Sequence, residues 1–114
     1  TQDANGYWTV CPSNSPENCP PGQIVTRDAE GNPSRYLAIT QNATLDYALA
    51  REVFTRLVAG CREIPAEEDN VAKWEFILSK FPDYQINRDG AIREWMHPDF
   101  PDNYDHRHES HIYP

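Results

Sequence analysis

The sequence predicts an all-α structure in which one helical αα-hairpin is flanked by long irregular segments. Two central stretches repeat apolar residues at helical spacing, and Pro65 and Pro82 interrupt the chain after each of them. Five prolines lie within residues 1–35, where they remove backbone donors and disfavour helix before them. The first third of the chain is therefore expected to be loop.

Composition narrows the classes of protein. A chain of 114 residues suffices for one small domain, and a net charge of -8 disfavours a nucleic-acid footprint. No long apolar span is visible, so no membrane partner is expected. Three Trp and six Tyr suit a packed core and equally suit carbohydrate binding. Because the chain starts at Thr1 and ends directly after its most information-rich run, we interpret residues 1–114 as a fragment of a larger domain.

Cysteine usage favours neither zinc nor a disulfide framework. The sequence has three cysteines and no Cys-x-x-Cys pair, so a structural zinc site is not expected. Cys11 and Cys19 flank a Pro-rich turn and can bridge if oxidised, whereas Cys61 falls on a helical pattern as a small core residue.

The first helix is predicted from about Thr44 to Arg62. Asn42 or Thr44 can cap it, and Asp46 suits the positive end of the helix dipole. Its wide apolar stripe predicts a well-buried helix, built from Leu45, Leu49, Val53, Leu57 and Cys61 with Ala48, Ala50, Phe54 and Val58 beside them.

The second helix is predicted from about Ala66 to Lys80, with three acidic residues in its first turn. A short connection between two helices predicts an antiparallel hairpin. Its expected buried stripe comprises Val71, Trp74, Ile77, Leu78 and Phe81. Beyond Pro82 we expect an extended piece at 84–86, a turn at 87–90 and a short helical turn at 91–96.

Three segments carry candidate chemistry. In the first, Glu17 lies between two prolines and Cys19, in a stretch that fixed φ angles make stiff. A general acid needs such stiffness, although an exposed loop Glu is the alternative. In the second, Glu94 and Trp95 form a pair typical of a sugar-holding surface; a partly buried Trp with a solvated or capping Glu is the alternative.

The third segment is the histidine-rich run from Asp105 to His111. His106, His108 and His111 with Asp105 can ligate zinc or iron, but the fixed cation of Arg107 opposes a bound dication. Arg and His donors suit sugar hydroxyls instead. Histidines packed as structural donors are the remaining alternative.

Taken in order, these segments resemble the α-L-fucosidases of glycoside hydrolase family 95. The match extends over nearly the whole chain, and its first and last motifs are long and specific. The motifs are Pro12-Ser-x-Ser-Pro-Glu-Asn18, Thr44-Leu-Asp46, Gln85-Ile…Asp89-Gly…Glu94-Trp95 and His106-Arg-His-x-Ser-His111.

The resemblance implies part of an (α/α)6 barrel that hydrolyses terminal α-L-fucosyl linkages with inversion, without metal or cofactor. Glu17 matches the general acid of the family, and Arg107 and His108 match its sugar-contacting pair; Glu94 and Trp95 are further candidate substrate contacts. The partners implied are a fucosylated glycan and the remainder of the barrel. A secreted or periplasmic bacterial enzyme is favoured.

Two motifs of the family do not occur in this segment. Its pair of water-holding Asn residues lies upstream, and its base-activating Asp lies downstream, so this segment alone is not expected to hydrolyse fucosides. The alternatives are an α-L-galactosidase or another (α/α)6 glycosidase, a metal-binding module on the histidines, and a non-catalytic carbohydrate-binding remnant.

Overall fold

The computed structural model describes residues 1–16, 18–21, 26–34, 40–64, 67–105, 108 and 110–112. A minimal antiparallel hairpin pairs β1 (Thr26–Arg27) with β2 (Pro33–Ser34). Two helices follow, α1 (Thr44–Glu63) and α2 (Glu68–Ser79), and a 3-10 turn covers Ser110–Ile112. The all-α class is confirmed, since the described strands are two residues long each.

The helical hairpin forms as predicted. α1 and α2 pack against each other, and their bounds lie within two residues of the predicted bounds wherever the chain is described. Pro65 and Ala66, which were expected to break the chain and begin the second helix, lie outside the described residues. Neither helix reaches the combination of length and apolar character that crossing a membrane requires.

The start of α1 differs from the prediction. Neither Asn42 nor Thr44 caps the helix; the N-cap position is Ala43, which has no side chain able to do so. Segments distant in sequence supply the acceptors instead. The Ala43 amide donates to Ser13 Oγ at 2.8 Å, and the Thr44 amide donates to the Glu94 carbonyl at 2.9 Å. Tertiary contacts thus satisfy the free amides that a helix start exposes.

Asn42 ties three segments together just before α1. Its φ of 60° is left-handed, a conformation that Asn tolerates better than most side chains. Its Oδ1 accepts from the Val10 amide at 3.0 Å and from the Tyr47 hydroxyl at 3.0 Å. Its Nδ2 donates to the Met96 carbonyl at 3.2 Å. The residue expected to cap the helix therefore fixes the loops around it.

The core lies where α1 meets the irregular segments. One cluster contains Ala43, Trp95 and Phe100, and a second contains Tyr47, Phe81 and Met96. On α1 the buried residues are Thr44, Tyr47, Ala48 and Val58.

Much of the predicted apolar stripe faces outward. Within the stripe, Leu49, Val53 and Leu57 on α1 are exposed, and Val71, Trp74, Ile77 and Leu78 on α2 are only partly buried. Phe76, which lies outside the predicted stripe, is exposed as well. Both helices therefore carry exposed apolar surface. The prediction of a well-buried first helix is wrong for this chain, because the described part supplies nothing that packs over that face.

The segment after α2 turns without becoming helical. Residues 87–90 form the predicted turn, in which the Asn87 side chain accepts from the amides of Asp89 and Ala91. The chain then returns along itself, with Ile86 opposite Ile92. The short helical turn expected over 91–96 is wrong, because Trp95 instead pairs with Ala43 across the entry to α1.

The cysteines take part in no disulfide. Cys11 is exposed, Cys19 is buried and Cys61 is partly buried, and all three are free thiols. The bridge considered between Cys11 and Cys19 is therefore not formed in this structure.

Candidate active site

The predicted acid motif, residues 12–18, is packed into the protein. Ser13, Ser15 and Asn18 are all buried, whereas Glu17 itself lies outside the described residues. The backbone of Ser13 pairs with Thr40 through two hydrogen bonds of 2.9 and 2.8 Å, and the Ser13 hydroxyl donates to Asp46 at 2.5 Å. The first half of the motif is thus fastened to the first turn of α1.

The second half of the motif is fastened by Glu94. This carboxylate is 3% exposed, and both of its oxygens are occupied. Oε1 accepts from the Ser15 hydroxyl at 2.5 Å, and Oε2 accepts from the Asn18 side-chain amide at 2.5 Å. The Asn18 backbone amide also donates to the Ser15 carbonyl at 2.9 Å. The sequence position of Glu17 falls between these two anchored residues.

The backbone amide and the backbone carbonyl of Glu94 are both hydrogen-bonded. Its amide donates to Asp102 Oδ1 at 2.8 Å, and its carbonyl accepts from the Thr44 amide at 2.9 Å. The neighbouring Trp95 is fully buried in the core. A carboxylate on such a supported stretch keeps a fixed position relative to α1.

Asn103 joins the acid motif to the C-terminal segment. Its Nδ2 donates to Asn18 Oδ1 at 3.0 Å and to the Cys19 carbonyl at 3.3 Å. In return, Asn18 Nδ2 donates to the Asn103 carbonyl at 3.3 Å. The chain that leads into the histidine-rich run therefore begins within hydrogen-bonding distance of the acid motif.

The histidine-rich run is described only in part. His106, Arg107 and Glu109 lie outside the described residues, while His108 and His111 are partly buried. The 3-10 turn that contains His111 contacts α1. Within the described segments no group of three or more potential metal ligands is found.

An open cavity of about 530 Å³ with mixed polar and apolar lining lies beside this site. It is lined by Asp102, whose carboxylate also accepts from the Glu94 amide, and by Arg93 and Tyr104. The Arg93 guanidinium is committed to the loop, since it donates to the carbonyls of His97 and Phe100 at 2.9 and 2.6 Å.

The structure brings some of the predicted site residues together. Glu94 lies directly beneath the acid motif, and Trp95 lies beside it in the core. Glu17 and Arg107 lie outside the described residues. The substrate-binding roles of Arg107, His108, Glu94 and Trp95, and the acid role of Glu17, stay predictions.

Four residues of this site were not singled out from the sequence. Ser15 and Asn18 belong to the first motif, but the sequence alone assigned no role to either. Asp102 and Asn103 were not singled out from the sequence at all. No spacing rule connects Ser15 and Asn18 with Glu94, because their hydrogen bonds cross 79 and 76 residues of chain. A buried carboxylate requires donors nearby, but the sequence does not reveal which donors.

Comparison with known proteins gives two findings. The profile of the glycosyl hydrolase family 95 catalytic domain matches residues 1–114. The chain is also similar to Alpha-L-fucosidase 2 of Arabidopsis thaliana, with 32% identity over 111 residues. That alignment covers 96% of this chain and 12% of the relative, so the chain spans about an eighth of that protein's length.

Proposed function

This chain belongs to glycoside hydrolase family 95, and we propose that it forms part of the catalytic domain of an inverting exo-α-L-fucosidase. The substrate class is a terminal α-L-fucosyl residue on an oligo- or polysaccharide. Support comes from the family match over residues 1–114 and from the similarity to a protein named an α-L-fucosidase.

One observation of the structure carries the assignment of the acid. Ser15 and Asn18, which lie on either side of Glu17 in the chain, are buried and hydrogen-bonded to a single carboxylate, Glu94, at 2.5 Å each. A proton donor has to be held within hydrogen-bonding reach of the leaving oxygen, and misplacement by about 1 Å can cost on the order of 100-fold in rate. Ser15 and Asn18, the described residues on either side of Glu17 in the chain, have this kind of support.

In the proposed reaction Glu17 protonates the glycosidic oxygen as the bond from that oxygen to the anomeric carbon breaks. A water molecule attacks the opposite face of the sugar and loses its proton to a base, which inverts the configuration. We assign the activation of water to residues outside this segment, and the holding of the fucose to Arg107 and His108. The pKa of Glu17 is expected above the ordinary value of about 4.3, so that the acid stays protonated.

The exposed apolar face of the helical hairpin supports a place inside a larger domain. Leu49, Val53 and Leu57 lie on one helix and are 39 to 55% exposed. Exposed apolar side chains in a contiguous row mark a surface that another element covers. We propose that neighbouring helices of the same barrel cover it.

The deciding experiment compares two leaving groups in the full-length enzyme that contains this segment. Glu17→Gln keeps the shape of the side chain but removes the titrating proton. Turnover of a fucosyl disaccharide should fall below detection, because a sugar leaving group needs protonation. Turnover of fucosyl fluoride should survive far better, since fluoride leaves with less help from an acid.

Matched controls separate binding from acid catalysis. Arg107→Ala and His108→Ala should weaken both substrates together, because these residues are proposed to hold the fucose and not the leaving group. Equal slowing of both substrates by Glu17→Gln would show that Glu17 is not the proton donor.

A further inference from the structure

We propose that Glu94 is a positioning residue for the general acid, acting through Ser15 and Asn18 and not by direct contact with the sugar. This inference rests on the proposed function, because it assigns to Glu94 the task of aiming the Glu17 loop. Three features of the site carry it: the burial of Glu94, the direction of its hydrogen bonds, and the place of its partners in the chain.

Burial makes the carboxylate of Glu94 dependent on its partners. It is 3% exposed, and the salt bridges among the described residues do not include it. A buried carboxylate is costly unless donors satisfy it, and hydrogen bonds to a charged acceptor are about twice as strong as neutral ones. The Ser15 hydroxyl and the Asn18 amide supply these donors at 2.5 Å each.

The hydrogen bonds also have a fixed direction. An ionised carboxylate only accepts, so Ser15 and Asn18 must both donate to it. The side-chain amide of Asn18 is then locked in one orientation. Its Nδ2 points to Glu94, while its Oδ1 accepts from Asn103 Nδ2 at 3.0 Å and from the Cys19 backbone amide at 2.9 Å. Reversing the Asn18 amide would break all of these bonds at once.

The partners of Glu94 bracket the proposed acid. Ser15 comes two residues before Glu17, and Asn18 comes one residue after it. The Glu94 carboxylate is therefore hydrogen-bonded to one residue before Glu17 and to one residue after it. Loss of this anchor should misplace the acid and leave the fucose-binding groups and the water-activating groups unaltered.

The test exchanges the amide and the carboxylate within the full-length enzyme. Asn18→Asp alone places two carboxylates against each other in a buried site, which should displace the loop. Combined with Glu94→Gln, the two hydrogen bonds of residue 94 are restored, because the introduced glutamine amide donates to the introduced aspartate and still accepts from Ser15. The double variant lacks only the 3.3 Å hydrogen bond from residue 18 to the Asn103 carbonyl. We expect Asn18→Asp to lower kcat for a fucosyl disaccharide about 100-fold, and the double variant to recover to within about 10-fold of the parent.

A second measurement compares the turnover of two substrates that differ in their leaving group, a fucosyl disaccharide and fucosyl fluoride. If Glu94 positions the acid, Asn18→Asp should slow the fucosyl disaccharide far more than fucosyl fluoride, as Glu17→Gln does. Glu52→Gln, which removes an exposed carboxylate on α1, is the matched control and should leave both rates unchanged. If Asn18→Asp does not fold, Ser15→Ala removes one of the two hydrogen bonds and should show the same selectivity to a smaller degree.

The outcomes are distinguishable. Equal slowing of both substrates by Asn18→Asp, or no recovery in the double variant, would make Glu94 a structural residue only, provided that Glu17→Gln remains selective for the disaccharide. If Glu17→Gln is not selective, the acid assignment itself fails, and the positioning role of Glu94 fails with it.

Discussion

The irregular segments and the helical hairpin of this chain are stabilised in opposite ways. The loop layer, defined as the described parts of residues 1–21, 40–43 and 84–105, buries polar side chains such as Ser13, Asn42 and Glu94. The hairpin of α1 and α2 exposes apolar ones, among them Val53 and Phe76. Every residue of α2 is at least partly exposed.

This difference shows where structural specificity lies. A helix satisfies most of its backbone hydrogen bonds internally, so residue spacing is enough to predict where α1 and α2 form. Irregular backbone has no such internal pattern, and each buried polar group in it needs a particular partner. The loop layer finds these partners across long stretches of sequence, as Glu94 does with Ser15 and Asn18. The segment proposed to carry the acid is therefore more tightly specified than the helices beside it.

The largest expected difference between the two regions concerns aromatic truncation. Trp95→Ala in the loop layer should lower the free energy of unfolding by about 3 to 5 kcal/mol, because Trp95 is fully buried against Ala43 and Phe100. Phe76→Ala in the hairpin should change it by no more than about 0.5 kcal/mol, since that ring is 54% exposed. Urea unfolding of the 114-residue chain and of its two variants measures both changes in the free energy of unfolding. Equal losses would remove the contrast between the regions.

A smaller difference is expected between Asn42 and Glu67, the two non-glycine residues with left-handed backbone in the described part of the chain. Asn42 has φ 60° and Glu67 has φ 59°. Asn42→Gly relieves the backbone but loses three side-chain hydrogen bonds, each contributing about 1 kcal/mol, so a net loss of about 2 kcal/mol is expected. Glu67→Gly should be neutral or stabilising by up to about 1 kcal/mol, because Glu67 is exposed and left-handed backbone is unfavourable for its side chain. Thermal unfolding compares the two; a stabilised Asn42→Gly would contradict the role assigned to Asn42.

The smallest change in the free energy of unfolding at neutral pH is expected at Tyr47, which lies on α1 and packs against the loop layer. Burial raises the pKa of Tyr47 to about 12 from its ordinary value of 10.0. A raised pKa means that the neutral phenol is favoured in the folded state. The contribution of the neutral Tyr47 phenol to the free energy of unfolding is complete below pH 10 and is lost as the pH rises towards 12.

Tyr47→Phe isolates this contribution. The variant loses the hydroxyl, whose single proton is shared between the Trp8 carbonyl at 2.6 Å and Asn42 Oδ1 at 3.0 Å, a loss of about 1 kcal/mol at neutral pH. Between pH 10 and 12 the parent protein should lose stability more steeply than the variant, so the gap between them narrows. Unfolding midpoints across this range test the sign; parallel curves would show that Tyr47 does not couple folding to pH.

The sequence by itself determined the elements that depend on local spacing and on breakers. It placed α1 and α2 within two residues of their described bounds, and it located the turn at 87–90 from its Asn and Gly. It also carried the motifs by which the family was identified, because a motif is a property of the order of residues and needs no coordinates.

Only the tertiary structure decided which faces are buried and which polar groups meet. The spacing of Leu49 and Val53 marks an apolar face, but whether that face is covered depends on elements outside the helix. The same spacing could not reveal that the start of α1 is satisfied by Ser13 and by the Glu94 carbonyl. Contacts of this kind join residues that share no local periodicity, because in folded proteins a buried donor is satisfied by whichever acceptor the packing brings near.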